Sequence, residues 1–349
     1  MYSEALSDPP WSRGGETKDD DELERLLRAI SLAAGAPAPA RFGRVLAGTA
    51  GWTDPTLVKS QRFYPKGVSS PEQRLRFYGS QFPVVEVNSS YYALPSPALA
   101  EQWVQRTPAD FVFNMKAFAP LTRHPVESAR LPADVQRALP AALVDKGRLY
   151  PQDLPGEAID VLWERFRQAL EPLRRAHKLG YVLFQFPPWF TATRGNVRVI
   201  EDCRARLDGL PVAVELRHAS WGAPERIERV VGFLREIGAI HVNVDEPQGK
   251  TNSMPGTALV ADPRLAVVRF HGRRAETWDA PVSVSEKFRY VYDPAELEPW
   301  AEAVERLAGE AERVHVIFNN CVADHAVLGA KGLTALLARR AAGEVAAAE

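Results

Sequence analysis

Eight apolar stretches recur along the chain, and segments with helical periodicity lie between most of them. Most of the stretches are rich in valine, phenylalanine or isoleucine and are bounded by proline, glycine or polar turns, a pattern typical of β-strands. Strands that alternate with helices indicate a parallel sheet with right-handed crossovers. Eight repeats favour closure into a (β/α)8 barrel, because open doubly wound sheets usually have fewer strands. The predicted strands are residues 45–51, 84–90, 111–117, 181–187, 212–218, 239–245, 265–271 and 314–320.

The segments between the strands predict helices. One of them begins at Pro294, where proline occupies the first turn and Asp293 precedes it. Two connections depart from this rhythm: residues 118–156, after the third strand, carry six prolines, and residues 246–264 replace most or all of the sixth helix. Long connections are usually functional or disordered, and in a barrel both would lie on the catalytic face. The predicted helices are residues 71–81, 97–106, 157–178, 195–208, 223–237, 294–309 and 323–340.

The two ends of the chain differ from this pattern. Residues 1–42 contain an acidic run, a plausible amphipathic helix and an Ala/Pro stretch, so we interpret them as a peripheral N-terminal extension and linker that is partly disordered. Residues 341–349 are rich in alanine and are expected to form a flexible tail. The sequence therefore predicts an α/β fold, a TIM-type (β/α)8 barrel domain over residues 43–340 with a long insertion after the third strand.

The bulk composition excludes several classes of protein. The 349 residues carry a formal net charge of −1, so no global field attracts nucleic acid or anionic membranes. No segment approaches the roughly 18 apolar residues needed to cross a bilayer, and the amino terminus lacks the pattern of a secretory signal. The two cysteines do not predict a disulfide framework. We therefore expect a cytoplasmic protein without a membrane partner, and the sequence indicates no oligomeric state.

Polar side chains mark the carboxyl ends of the predicted strands. Four strands end in a polar pair two residues apart, with apolar residues between and around them. Because successive side chains of a strand face opposite sides, each pair shares one face. In a barrel the apolar faces would contact the helices, and the polar faces would line the interior near its functional end. The pairs are Glu86/Asn88, Glu215/Arg217, Asn243/Asp245 and Arg269/His271, and other strand ends add Asn114, Lys116, His218, Arg273 and Asn319.

The acids and histidines of this set could carry out acid/base chemistry without a metal. Glu215 or Glu86 would act as the general base. His271 or His218 would act as the acid, and Asp245 is a further acid/base candidate. Arginines would hold an anionic substrate, because the planar guanidinium matches phosphate or carboxylate groups. The arginines are Arg217, Arg269 and Arg273.

Three alternatives stay open. The same acids and histidines could bind a divalent metal, although the arginines would repel a cation and no local metal motif occurs. Lys116 could form a Schiff base if burial or cationic neighbours made it nucleophilic. The charged groups could instead neutralise one another in a purely structural ion network. The metal ligands would be Glu86, Glu215, Asp245, His218 and His271.

Aromatic side chains and loops complete the predicted site. Trp52 and Tyr91 follow the first two strands and could stack a sugar or a base beside the charged groups. His124 and the rest of residues 118–156 could close over the substrate. We therefore predict an enzyme, a hydrolase or an isomerase, that acts on a small anionic or sugar-like substrate. The alternative is a protein without catalytic activity that binds a ligand or single-stranded nucleic acid through its arginines and aromatic residues.

One resemblance extends over nearly all of the predicted barrel. It rests on ordered motifs that include GTAGWTDP (48–55), FPVVEVNSSYYALP (82–95), VAVELRHASW (212–221), RFHGR (269–273) and VIFNN (316–320). With these motifs the chain resembles the YecE-like family, domain of unknown function 72. The resemblance implies a TIM-type barrel and implies no activity. The insertion after the third strand and the N-terminal extension depart from the family pattern.

Overall fold

The computed structural model describes residues 24, 25, 27, 28 and 37–343, apart from the side chains of residues 284 and 285. Most of the predicted N-terminal helix and most of the predicted tail lie outside the described residues. The described residues nearest the amino terminus are helical, and Leu27 among them is buried in the main hydrophobic core.

The strands include eight that close into a parallel barrel, which confirms the predicted fold. The strands are β1 (Arg41–Phe42), β2 (Val45–Thr49), β3 (Val84–Val87), β4 (Val112–Lys116), β5 (Val126–Glu127), β6 (Arg148–Leu149), β7 (Leu179–Gln185), β8 (Val212–Glu215), β9 (Ile240–Asp245), β10 (Ala266–Phe270) and β11 (Val314–Phe318). The barrel runs in the order β2, β3, β4, β7, β8, β9, β10 and β11, and β11 pairs with β2 to close the ring. The short strand β1 pairs with β2 in the antiparallel direction.

Helices follow most of the barrel strands and cover the barrel from outside. The first long helix shows how local sequence fixes its start: Ser70 and Gln73 cap each other's backbone N–H groups, and Pro71 takes the first turn. As predicted, residues 246–264 form no helix. None of the helices in the described chain combines the length and the apolar character that a bilayer crossing requires. The helices are Pro55–Ser60, Pro71–Gln81, Ser89–Tyr92, Pro97–Gln105, Ala133–Ala138, Ala141–Asp145, Gly156–Arg175, Arg194–Arg206, Ala219–Gly222, Ile227–Glu236, Ala275–Trp278, Val284–Lys287, Pro294–Glu310 and His325–Ala341.

The insertion at residues 118–156 has local structure of its own. Within it, β5 and β6 pair in the antiparallel direction, with Val126 level with Leu149. Pro132 and Pro140 each precede a short helix, so these prolines start helical turns instead of interrupting them. Because the insertion leaves the carboxyl end of β4, it lies at the mouth of the barrel where parallel-strand enzymes hold their active sites.

One layer of the barrel interior is apolar. Leu46, Val84, Val112 and Ile317 form a buried cluster that is separate from the main core. Gly48 lies against the same strands, and a Cβ atom there would sit 2.1 Å from the carbonyl oxygen of Val84. A side chain at position 48 would therefore push β2 and β3 apart.

The strand register decides which polar side chains enter the barrel. β9 pairs with β10 so that Val244 is level with Arg269 and Asp245 is level with Phe270. Side chains at one level of neighbouring strands share a face, and the face alternates along each strand. Arg269 enters the interior, and so Asp245 faces outward, toward the helices.

Candidate active site

A buried arginine joins two strand-end carboxylates in the centre of the barrel. Arg269, on β10, donates one hydrogen bond to Glu86 on β3 over 2.6 Å and another to Glu215 on β8. None of these three side chains is exposed to solvent. Tyr181 donates a further hydrogen bond to Glu86 over 3.3 Å. The structure therefore brings together three of the residues that the sequence selects.

Glu215 has both of its carboxylate oxygens occupied. One oxygen accepts from Arg269, and the other accepts from Gln185 over 2.5 Å and from His271 over 3.1 Å. Burial alone would raise the pKa of Glu215, but Arg269, His271 and Arg217 together hold that pKa well below its usual range. Glu215 is thus a fixed anion, and it is a poor proton acceptor near neutral pH.

His271 is held in one neutral tautomer. Burial lowers its pKa to about 3, although the neighbouring Glu215 works in the opposite direction. Because Nε2–H donates to Glu215, Nδ1 is left to accept from the side-chain amide of Asn319 over 3.0 Å. The oxygen of Asn319 in turn accepts from the amide of Asn88 over 3.1 Å. These three predicted residues extend the network across β10, β11 and β3.

Lys116, at the end of β4, differs from the other charged groups. Its ammonium nitrogen forms no hydrogen bond or ion pair with any residue that the structure describes, and it lies 4.8 Å from the centre of the Tyr91 ring. Burial and the charge of Arg269 lower the pKa of Lys116 to about 8, although Glu86 and Glu215 act to raise it. Lys116 as a whole is half-buried.

Arg217, two residues beyond Glu215, is the second cation at the mouth. It lies 3.1 Å from Glu246 and 3.5 Å from Glu215, but its N–H groups form no well-directed hydrogen bond within the described chain. The guanidinium carbon lies 4.8 Å from the centre of the Trp278 ring. Lys116 and Arg217 thus present unfilled N–H donors on the same side of the barrel.

Glu246 is a buried carboxyl group that the sequence pattern does not single out. One of its oxygens accepts the backbone N–H of Met254 over 2.7 Å, and the other has no hydrogen-bond partner within the described chain. Burial raises the pKa of Glu246 to about 7, although Arg217 opposes the shift. Because Glu246 follows Asp245 directly, its side chain points inward where that of Asp245 points outward.

Glu246→Gln is expected to remove a pH dependence of stability. The folded protein keeps the proton on Glu246 up to about pH 7, whereas the unfolded chain releases it near 4.5. The free energy of unfolding should therefore fall as pH rises through this window, and the glutamine variant should lack this part of the decline. Urea titrations of both proteins between about pH 4.5 and pH 8 measure the difference. Identical pH profiles would contradict the raised pKa.

A cavity of about 440 Å³, within the size range of small-molecule sites, lies against Tyr91, the ring that Lys116 faces, but neither Lys116 nor Arg217 lines it. Its wall includes Tyr91, His124 and Trp189, and the His124 ring lies 5.3 Å from Tyr91 and 5.8 Å from Trp189. Burial, reinforced by the charge of Lys116, lowers the pKa of His124 to about 3. The predicted residues Tyr91 and His124 therefore give this cavity a neutral aromatic wall.

The expectation that Asn243 lines the barrel interior is wrong. Its side-chain amide donates to the backbone oxygens of Leu259 and Val267, and its oxygen accepts the N–H of Leu259. The two bonds to Leu259 attach residues 246–264 to the outer face of β9, and the bond to Val267 reaches the neighbouring strand β10. Asn243 thus replaces contacts that a sixth helix would make.

The expectation that Asp245 and Arg273 belong to the mouth is also wrong. Asp245 accepts from Nη2 and Nε of Arg273 over 2.7 and 2.9 Å, from the Tyr292 hydroxyl over 2.7 Å and from the Trp300 indole over 2.6 Å. Trp300 belongs to the helix Pro294–Glu310 of the outer layer. Asp245 and Arg273 therefore neutralise each other's charge on the outer face of the barrel, away from Glu86 and its partners.

Two further predicted residues have local contacts of their own. Trp52 packs edge-on against Trp103, with 5.7 Å between the ring centres, and is buried in the main core, so it does not line the mouth. The Nδ1 atom of His218 accepts the backbone N–H of Ser220 over 3.1 Å and thereby caps a short helix. Neutral His218 consequently carries its proton on Nε2.

The predicted metal ligands do not form a metal site. Asp245 lies on the outer face, and Arg269 stands between Glu86 and Glu215. Across residues 37–343 and the described positions before them, no three His, Cys, Asp or Glu side chains form a group that could hold a metal ion. The donor set proposed from the sequence therefore does not fit a metal.

Gln185 and Tyr181 also belong to the network, although the predicted set omits them. Gln185 is the last residue of β7, and a polar residue at the carboxyl end of an apolar strand was a signal for it. Tyr181 lies early in the same strand, where an aromatic residue reads as core, so no signal was available. The predicted Asn114 is level with Glu86 on the neighbouring strand, and its side-chain oxygen lies 3.2 Å from Nδ1 of His315.

Comparison with known proteins agrees with this architecture. Residues 46–348 match the model of the family described as "Protein of unknown function DUF72". The chain is 31% identical over 277 residues to the UPF0759 protein YunF of Bacillus subtilis (strain 168), which covers 78% of this chain and 87% of YunF. A DUF72 family protein from Enterococcus faecalis V583 has a TM-score of 0.68 at 28% identity and covers 84% of this chain and 95% of its own. A DUF72 family protein from Thermotoga maritima MSB8 has a TM-score of 0.63 at 30% identity, with coverages of 84% and 98%.

Proposed function

The chain belongs to the DUF72 family, and we propose that it is an enzyme that acts on a small anionic or sugar-like substrate at the carboxyl-terminal mouth of its barrel. The reaction we propose is a hydrolysis or an isomerisation that proceeds by acid/base chemistry. The anionic group of the substrate binds between Lys116 and Arg217.

One observation carries this proposal. Lys116 and Arg217, the two cations at the mouth of the barrel, have N–H donors without hydrogen-bond partners, whereas Arg269, which lies deeper, has both terminal nitrogens bonded. Arg269 gives its two terminal nitrogens to Glu86 and Glu215. Lys116 and Arg217 form no hydrogen bond within the described chain. Partly buried donors without hydrogen-bond partners are costly unless a ligand or solvent fills them, which favours an anion at this position.

The pKa values favour a division of roles within the site. Groups that exchange protons in catalysis work best when their pKa lies near the working pH, and the pKa values of Lys116 and Glu246 are about 8 and about 7. Glu215 is fixed in its charged state by its neighbours, and His271 is fixed in its neutral state mainly by burial. We therefore assign proton transfer to the first two residues and positioning to the buried network.

Arg217→Met is expected to weaken the binding of inorganic phosphate by about 10- to 100-fold, because a hydrogen bond to a charged group contributes about 1.5–3 kcal/mol. The measurement is the phosphate-dependent shift of the unfolding transition, since saturation to ~100 times the dissociation constant adds about 2.7 kcal/mol of stability. The control is Arg198→Met, at an exposed arginine on the helix Arg194–Arg206, which should bind like the parent protein. Equal affinity in both variants would contradict the proposal.

A second candidate, binding of single-stranded nucleic acid, is favoured by two exposed aromatic residues at the cavity. Tyr92 and Trp189 are 55% and 57% exposed, and Arg130 and Arg148 line the same cavity. Stacked bases and backbone phosphates would fit such a surface. Salt separates the candidates: affinity for an oligonucleotide should fall steeply as salt rises, whereas a small enclosed ligand should respond much less. Oligonucleotide binding that Arg217→Met leaves intact would favour this second candidate.

A further inference from the structure

We propose that Lys116 is a nucleophile that forms an imine with an aldehyde or ketone group of the substrate. This inference rests on the proposed function and deepens it, because it narrows the substrate to an anionic carbonyl compound. The geometry behind it is an amine at the end of β4 that has no hydrogen-bond partner within the described chain and lies over the face of Tyr91, 4.8 Å from the ring centre.

Lys116 lacks the contacts that a structural lysine makes. Lys178, which is buried, donates to both oxygens of Thr107 over 2.9 Å and to a third oxygen over 2.8 Å. For Lys116 no such acceptor exists within the described chain, because the carboxylates nearest to it are held by Arg269. A lysine kept at a barrel mouth without a salt bridge is more readily explained by chemistry than by stability.

The surroundings favour the neutral, nucleophilic amine. Burial and the positive charges of Arg269 and Arg217 lower the pKa of Lys116 to about 8. The ring of Tyr91, which Lys116 faces, also lines a cavity of about 440 Å³ that has room for a small carbonyl compound. Arg217 can hold the anionic group of that compound and so direct its carbonyl carbon toward Lys116.

The reaction balances without an oxidant or a further reactant. The lone pair of the neutral amine forms a C–N bond to the carbonyl carbon, and the electron pair of the C=O bond moves to oxygen, which takes a proton. The nitrogen then loses a proton to solvent. A second proton lets that oxygen leave as water while the nitrogen lone pair forms the C=N bond, which gives a protonated imine.

Reductive trapping with pyridoxal 5′-phosphate tests this inference, because the probe carries an aldehyde, a planar ring and a phosphate. The full chain is treated with the probe and then with borohydride, and the labelled peptides are identified by mass spectrometry. A pKa of about 8 leaves roughly 200-fold more neutral amine near pH 7 than an exposed lysine has. We therefore expect most of the label on Lys116, with a pH midpoint of trapping near 8.

Variants separate this inference from the proposed function. Lys116→Arg should lose the label, whereas Lys331→Arg, a control that removes an amine bonded to Gln81, should keep it. Label mainly on Lys287, another lysine near Arg217, or spread evenly over the lysines, would overturn the inference. If inorganic phosphate stabilises the protein but Lys116 is not trapped, the covalent role fails and anion binding stands. If phosphate gives no stabilisation and no label appears, both proposals fail.

Discussion

Arg269→Met is expected to lower the free energy of unfolding by about 3–5 kcal/mol, the usual cost of removing one partner from a buried ion pair. Arg269 is the cation shared by Glu86 and Glu215, and all three side chains are fully buried. Without it, two carboxylates remain in the barrel interior, and at least one must take up a proton. Urea denaturation near neutral pH measures the loss.

Two comparisons make this prediction specific. Arg165→Met breaks a surface pair with Asp134, where both side chains are 43% exposed, and should cost no more than about 1 kcal/mol. Adding Glu86→Gln and Glu215→Gln to Arg269→Met removes the buried charges, so the triple variant should recover much of the lost stability. An Arg269→Met protein as stable as the Arg165→Met protein would contradict the buried network of Arg269, Glu86 and Glu215.

The fold was predictable because its signals are local. The helix Pro71–Gln81 coincides with the predicted residues 71–81, since Ser70, Pro71 and Gln73 form a capping pattern that needs no tertiary contact. The eight barrel strands were visible because parallel strands covered by helices are apolar over most of their length. Closure followed from counting these repeats.

The site was predictable only where a strand end had one suitable face. Glu86, Glu215, Arg269 and His271 converge as expected, since parallel strands of a barrel deliver their carboxyl ends to one rim. Lys116 was selected for the same reason. Lys116 has no hydrogen-bond partner within the described chain, whereas Arg269 has two carboxylate partners. This difference depends on distances between strands, which no pattern within one strand encodes.

Strand β9 shows why the alternation of polar and apolar residues can mislead. Its sequence, IHVNVD, alternates between valines and polar residues, and the valines fit the barrel interior as well as they fit the helical layer. The outward orientation of the Asp245 side chain is set by Tyr292, Arg273 and Trp300. These residues donate hydrogen bonds to Asp245 but lie far from it in sequence. With β9 turned this way, the residue that reaches the interior is Glu246, one position later.

Asp245→Ala is expected to destabilise the protein by about 3–5 kcal/mol. The substitution takes the Asp245 carboxylate away from the buried Arg273, and it also removes the acceptor of the Tyr292 hydroxyl and of the Trp300 indole. The same variant should leave the phosphate affinity within about a factor of two, since additivity holds for distant sites and Asp245 faces away from the mouth. Urea denaturation and the phosphate-dependent unfolding shift measure the two effects in one preparation, with Asp134→Ala as the surface control. Lost phosphate binding with unchanged stability would place Asp245 at the mouth after all and would overturn the outward orientation of β9.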